Sequence, residues 1–326
     1  MIALIDEEYM PGETESSGRS FHVPVLLRET VAALQPAVGK IFLDGTVGGG
    51  GHALALLEAG ARVIACDQDP EALAEASRRL AGYASQVRFV ESNFADVEDR
   101  LSALGVKELD GVLLDLGVSS HQIDTPSRGF SFLGNGPLDM RMGSHVQRTA
   151  ADIVNQDSQE ELARIFFEFG EEPAGRRLAA HLVKLRDRSP IQTTNDLVKA
   201  VESIIPKRGP RHPATKVFQA LRIAVNDELS VLERALHNLS VWVKGGGRMA
   251  VIAFHSLEDR IVKRYFREVS QEWIDRPEWP APRRNPAYAF RLITTRPLEP
   301  TEEEIQQNSR ARSAKLRVIE RISYES

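Results

Sequence analysis

The order of apolar segments predicts an open α/β fold: a mostly parallel sheet flanked by helices and interrupted by a purely helical insert. Three observations carry this. Short apolar runs alternate with amphipathic helical stretches from residue 41 to 116. The rhythm then breaks, with no strong strand signal across 124–212. After a long helical stretch, strand and helix signals alternate again from residue 247 toward the C-terminus. Four strands separated by three helices imply parallel pairing, because each crossover helix covers a face of the sheet.

In chain order, 24–35 reads as a helix with Pro24 in its first turn and Val25, Leu27, Val31 and Leu34 facing a core. IFLDGT (41–46), RVIACD (62–67), VRFVES (87–92) and GVLLDL (111–116) are the four strands. Between them lie helices at 52–59, at 70–83 (opened by Pro70, with Asp69 as N-cap) and at 95–104. Residues 126–143, rich in Gly and Pro, read as an ordered loop. Helical stretches follow at 158–169, 173–187 and 194–204. One long helix is expected over 214–239, then a strand at 247–254, a helix at 256–270 and strands near 290–295 and 314–322. Ser256 and Asp259 have the spacing of a capping box. The expected domains are a disordered acidic tail (1–20), a sheet domain (21–123 and 213–326) and the helical insert (124–212).

Composition narrows the class. The 326 residues are 42% hydrophobic and 27% charged, as in ordinary globular chains. No window approaches the run of about 20 apolar residues that spans a bilayer, and no basic-then-apolar leader opens the chain, so no membrane association is expected. A single cysteine fits a reducing cytoplasm. The net charge of −5 is unevenly spread. Five acids oppose one arginine in residues 1–20, whereas nine cations oppose three acids in 175–212. Such a basic stretch suits RNA, and equally suits a solvated helix face.

The strongest local signal is DGTVGGGGH (44–52), where four glycines join a strand to a helix. Glycines let a ligand approach the main chain, and the first strand–helix turn of a doubly wound sheet is where a nucleotide-bearing cofactor lies. Asp67, 17 residues beyond Gly50, stands where an acid accepts hydrogen bonds from ribose hydroxyls. Gly48, Gly50 and Ala53 also satisfy the dinucleotide pattern, so a nicotinamide cofactor competes with S-adenosylmethionine. Asp44 and Asp115 favour the latter, since acids repel a pyrophosphate and attract ammonium and sulfonium cations. Patterns for phosphoryl transfer and serine hydrolysis are absent.

Six ordered motifs go further: DGTVGGGGH (44–52), DLGVSSHQ (115–122), RGFSF (128–132), GPLDMRM (136–142), HPATKVFQALRIAVNDEL (212–229) and FHSLEDRIVKRYF (254–266). Through them the chain resembles the RsmH family, also called MraW, from about His22 to Arg321. That resemblance implies a class I S-adenosylmethionine-dependent methyltransferase sheet, Rossmann-like, with a helical recognition insert after the fourth strand. It implies methylation of the exocyclic amine N4 of a cytidine in the decoding centre of 16S ribosomal RNA, within the small ribosomal subunit. It carries cofactor contact onto Gly50, Gly51, His52, Asp67, Phe94, Asp115 and Gln122, beside the Asp44 already singled out. Each has a plainer alternative: His52 as helix packing, Phe94 as core, Gln122 as a loop residue.

A cytosine amine is a weak nucleophile, so positioning and hydrogen-bond acceptors at the end of the fourth strand are expected to matter most. Asp115, Ser119 and Ser120 are the catalytic candidates, and no general base is assigned. Cys66 lies inside a strand, which argues against the thiolate route used for methylation at ring carbon 5. Arg128, Phe130, Arg141, Lys207, Arg208, Arg211 and His212 are the candidate RNA contacts, with Phe130 or Phe132 as stacking partner for the base. No metal is expected, and a homodimer is left open. An oxidoreductase and a non-catalytic RNA-binding assembly factor remain competing readings.

Overall fold

The computed structural model describes residues 24–207, 209 and 212–323. The acidic tail, Arg208 and Arg211 lie outside the described residues.

The sheet strands are β1 (Ile41–Asp44), β2 (Arg62–Asp67), β3 (Val87–Glu91), β4 (Leu109–Asp115), β5 (Val243–Ala253), β8 (Phe290–Leu292) and β9 (Lys315–Arg321), with a separate two-residue ladder of β6 (Trp273–Ile274) and β7 (Arg283–Arg284). The seven-stranded sheet runs β3-β2-β1-β4-β5-β9-β8. β1 to β5 pair in parallel and β9 runs antiparallel between β5 and β8, the arrangement of a class I methyltransferase sheet. Asp44 stands opposite Ala65 of β2 and Leu113 of β4, so the carboxyl ends of β1, β2 and β4 meet at one edge. The chain passes from β1 outward to β2 and β3, then returns to β1's other side as β4. That reversal opens a crevice above β1 and β4.

Alternation along the strands divides the core. Leu43, Val112 and Leu114 face one cluster, together with Leu236 and Phe266. Phe42, Val63 and Leu113 face the other, with Leu56 and Leu80. Helices α1 (Leu27–Leu34), α2 (Gly51–Glu58) and α3 (Pro70–Arg79) cover the second face; α4 (Glu98–Ala103), α11 (Glu228–Ser240) and α12 (Ser256–Ser270) cover the first. Between β4 and β5 lie α5 (Ser120–Asp124), α6 (Ala150–Gln156), α7 (Gln159–Glu168), α8 (Gly175–Arg186), α9 (Thr194–Ile204) and α10 (Ala214–Asn226); α13 (Glu302–Gln307) precedes β9. Among the described residues, no helix is long and apolar enough to cross a membrane.

Three sequence expectations change. The single helix over 214–239 is two helices, because Asp227 adopts a left-handed conformation (φ 49°) that Asp tolerates better than most residues. Asn226 fixes the corner: its Oδ1 accepts from Met142 N (2.9 Å) and its Nδ2 donates to the Met140 carbonyl (2.8 Å). Phe218 and Leu221 of α10 are buried with Phe166, Leu178 and Leu197, so packing groups α10 with the helical layer rather than with the sheet that follows. The cap of α12 is one residue earlier than expected. His255 Nδ1 accepts from Glu258 N, while buried Glu258 accepts from Phe254 N at 2.8 Å. Asp259 is instead paired with Arg317 (2.6 Å), and Ser256 Oγ donates to Glu171. The stretch 95–104 is a 3-10 turn, Phe94–Asp96, followed by the short α4.

Candidate active site

The glycine turn is shaped by two left-handed residues, Gly48 (φ 48°) and Gly50 (φ 77°), where a side chain would be strained. A Cβ at Gly51 would fall 2.2 Å from Pro24 Cγ, so that glycine lets the N-terminal segment pack against α2. Gly49 differs: it is exposed, and a Cβ there would meet nothing within 4 Å. Its surroundings are open on the side facing away from the protein.

Around this turn, polar groups are buried without partners. Asp44 is 1% exposed; one oxygen accepts from Thr46 N (3.2 Å) and Oδ2 accepts from nothing. His52, in the first turn of α2, is buried with both ring nitrogens unbonded. Its Nε2 lies 3.5 Å from Asp115 Oδ2, and Asp115 Oδ1 is itself buried and unpartnered. Burial pushes the Asp44 carboxyl up to about 7, opposed by the facing His52 and the Thr46 amide, and helped by the nearby charges of Asp115 and Asp67. Native interiors rarely leave so many polar atoms unbonded in one place. A cation seated among them would answer the two carboxylate oxygens, while an imidazole N–H needs an acceptor of its own.

Asp67, at the end of β2, is already employed. Its Oδ2 accepts from Gly48 N (2.9 Å) and its Oδ1 from Asp69 N (3.0 Å), so it ties the glycine turn to the second strand. Burial lifts its carboxyl to about 6, against those amide bonds. A carboxylate holding two amides keeps free lone pairs, which suits a hydroxyl donor from a ligand. Phe94 is half-buried against the core and begins the turn after β3. A Cβ at Gly45 would sit 3.1 Å from Phe94 Cβ, so this ring flanks the same edge.

Two candidates turn out to be braced within the protein. Gln122 is buried: its Oε1 accepts from Ser119 N (3.0 Å) and its Nε2 donates to Asp69 Oδ2 (2.8 Å). Ser119 is the N-cap of α5, its Oγ accepting from Gln122 N. The capping box thus occupies Ser119, whereas the Ser120 hydroxyl, one residue on, makes no hydrogen bond among the described residues. The Asp115 amide donates to Thr46 Oγ1 (2.7 Å), linking the ends of β1 and β4.

The expected RNA contacts divide. Arg128 is 17% exposed and fully engaged: its Nη1 lies 2.8 Å from Asp69 and 3.1 Å from Glu71, and its Nη2 donates to the Arg141 carbonyl. Its guanidinium ties the 126–143 loop to the start of α3. Arg141 forms a bidentate pair with Asp139 (both 2.8 Å) and stays partly exposed. Phe130 is partly buried in the helical core beneath Arg128, and Phe132 stacks on His212 with centroids 4.7 Å apart. His212 also accepts from Ala214 N, and Lys207 is exposed.

One cluster escapes sequence reasoning. Arg222, 14% exposed, makes a bidentate pair with Glu228 (2.8 and 2.7 Å), and a Cβ added at Gly117 would lie 3.9 Å from its Nη1. Glu228, His255 and Glu258 bring possible ligand atoms within 4.8 Å of one another, but the Arg222 guanidinium already supplies Glu228 with its positive partner. The spacing of Arg222 and Glu228 is visible in the sequence; their burial is not.

A family model described as the MraW methylase family matches residues 19–322. The chain is 49% identical over 313 residues to Ribosomal RNA small subunit methyltransferase H of Magnetococcus marinus, covering 93% of this chain and 99% of that one. It is 46% identical over 306 residues to the protein of the same name from Carboxydothermus hydrogenoformans, covering 93% and 98%. A third protein of that name, from Syntrophotalea carbinolica, is 49% identical over 309 residues, covering 92% and 98%.

Proposed function

The chain belongs to the MraW methylase family, and from that premise we propose that it methylates 16S ribosomal RNA of the small subunit, at the exocyclic amine N4 of a cytidine in the decoding centre, with S-adenosylmethionine as donor. One observation carries the cofactor reading: the unbonded Asp44 Oδ2, His52 ring and Asp115 Oδ1 gathered beside a four-glycine turn. The donor supplies an electrophilic methyl group on a sulfonium centre, and its positive charge suits these atoms. A dinucleotide would instead set a pyrophosphate against buried Asp44 and the half-buried Asp115.

The chain's own groups then have separable tasks. Asp44 and Asp115 place negative charge at the ends of β1 and β4. Asp67 accepts hydroxyl hydrogen bonds from the ribose while holding Gly48 in place. Phe94 offers a flat apolar wall to the adenine. The residues 115–120 turn provides acceptors for the target amine: the Asp115 carboxylate and the Ser120 hydroxyl. Such acceptors localise the nitrogen lone pair and hold it in line for transfer. The base must leave its stack to reach this crevice. The helical layer, with Arg141, Lys207 and His212 at its surface, supplies the contacts that select the RNA; Arg208 and Arg211 extend that basic stretch. The target atom rests on the family reading, supported by Cys66, which is buried in β2 with its thiol pushed far up by burial and so offers no thiolate nucleophile.

Nucleoside mass spectrometry of small-subunit RNA from cells lacking the gene tests this directly. The amine-methylated cytidine should fall and return when the gene is restored. An unchanged content would remove the proposed substrate, and a methyl-transfer assay on isolated small subunits would separate an enzyme from a non-catalytic assembly factor.

A further inference from the structure

The site above leaves unused a basic groove along α12. Arg260, Lys263, Arg264 and Arg267 recur at the spacing of one helix face and line it, spanning about 10 Å of helix axis. Its far wall is the segment that carries the β6–β7 ladder. We propose that this groove is a docking track for the backbone of the substrate RNA as it leaves the crevice, an inference that rests on the proposed function.

Position comes first. α12 begins just after the carboxyl end of β5, where Ile252 lies opposite Asp115, so its row of cations starts at the edge of the sheet that holds the site and runs away from it. Availability comes second. All four side chains are exposed; Arg260 and Arg264 pair with exposed Glu171 and Glu233, contacts weak enough in water to yield to a phosphate. Lys263 and Arg267 are exposed, and Lys263 acts on the Asp259 carboxyl only through space.

The far wall points to nucleic acid rather than to an acidic peptide. Ile274 lines the groove there, and its cross-strand partner is Arg283. Trp279 carries the guanidinium groups of Arg276 (5.0 Å) and Arg283 (4.7 Å) over its ring. Flat aromatic and guanidinium surfaces next to a row of cations suit unpaired bases strung on phosphates. The wall is also fixed in advance. Buried Asn285 donates to the carbonyls of Glu268 (2.6 Å) and Gln271 (2.8 Å), stapling the segment to the end of α12. Glu268 and Glu272 are the acids at this end of the groove, and Glu272 lies 4.0 Å from Arg284.

The test is the pair Lys263→Glu and Arg267→Glu in the full chain, with Lys263→Ala and Arg267→Ala as a milder pair. Methyl transfer to small subunits should keep its kcat, with KM raised about tenfold or more at moderate salt. Binding of protein-free 16S RNA across a salt series should show a slope shallower by about one to two, because each cation removed leaves one phosphate unneutralised. Trp279→Ala should weaken RNA binding without changing the slope. Calorimetry with S-adenosylmethionine alone should be unchanged, which shows that the variants are folded. Unchanged KM and slope in the folded charge-reversed variant would overturn the track. Weakened binding to intact subunits with normal binding to protein-free RNA would overturn it too, and would assign the groove to a ribosomal protein. If the unmodified chain methylates no small subunit, the proposed function fails, while the RNA salt series still decides the groove.

Discussion

His52 Nε2 stands 3.5 Å from Asp115 Oδ2 and makes no hydrogen bond there, although both side chains sit at the same edge of the sheet. With Asp44 beside them, this edge holds two acids and an imidazole, and Asp44 Oδ2, Asp115 Oδ1 and both His52 ring nitrogens make no hydrogen bond. Such an arrangement costs stability in the empty protein and is recovered when a cation binds.

Asp44 gives that cost a pH dependence. Burial raises its carboxyl from the ordinary aspartate range to about 7. A raised acid stabilises the fold fully below its unfolded value, and the contribution is lost as pH climbs through about 7. Ligand binding has the opposite sign, because the ionised form attracts the cation. S-adenosylmethionine affinity of the unmodified chain should therefore fall as pH drops from about 8 to about 6, with proton release on binding at the lower pH. Asp44→Asn should flatten that profile and weaken binding by about tenfold or more. At a pH of about 8 the empty variant should also melt above the unmodified chain, by an amount of the order of 2 kcal/mol. Calorimetry at several pH values and thermal melts check both; a variant that binds with normal affinity across the range removes Asp44 from the pocket.

Asp115 is expected to act on turnover more than on folding, since one carboxylate oxygen is unbonded and the other only faces His52. Asp115→Ala should lower kcat by about a hundredfold or more at saturating cofactor, the size seen when one preorganised polar group is lost from a site. Near-normal turnover would leave Ser120 as the acceptor to examine.

The four glycines make different demands, and two alanine substitutions separate them. Gly51→Ala drives a Cβ to 2.2 Å from Pro24 Cγ, so the N-terminal segment must move. It should lower stability by about 1–3 kcal/mol. Gly49→Ala meets nothing in the protein within 4 Å, so melting should be unchanged. If a cofactor lies over the turn, Gly49→Ala should still reduce its affinity. Normal affinity in that variant would put the cofactor elsewhere.

These contrasts also mark what the sequence can tell. The strand–helix alternation, the glycine turn and the acids at strand ends are legible because periodicity and local backbone chemistry set them. The break at Asp227 is not, because α10 and α11 share one amphipathic rhythm and only tertiary bonds from Asn226 to residues 140 and 142 bend the chain there. The partners of Arg128 are hidden in the sequence for a similar reason. A loop arginine near a motif resembles a phosphate contact, and its partners Asp69 and Glu71 lie almost sixty residues away. The α12 cap falls one residue from its expected place, because Ser-x-x-Asp outranks His-x-x-Glu by local preference alone. Burial of Glu258 against the Phe254 and His255 amides decides otherwise.

Arg222 provides the last expectation. Its guanidinium is largely covered, joins α10 to Glu228 across the Asp227 corner, and faces Glu258 as well. Although burial alone would raise the Glu258 carboxyl, His255 and Arg222 hold it below the usual range. Arg222→Met leaves Glu228 without its partner while Glu258 keeps His255, and breaking a largely buried pair on one side costs up to about 3–5 kcal/mol. The double variant Arg222→Met with Glu228→Leu removes the orphaned charge and should recover much of that loss. Because Arg222 Nη1 would lie 3.9 Å from a Cβ added at Gly117, close to the 115–120 turn, the single variant should also lower kcat through a displaced turn, with cofactor affinity less affected. Denaturant melts of both variants, set beside their kcat, check this. If the single variant is as stable as the unmodified chain, the corner is not held by this pair, and the turn at the end of β4 takes its position from β5 and α12 alone.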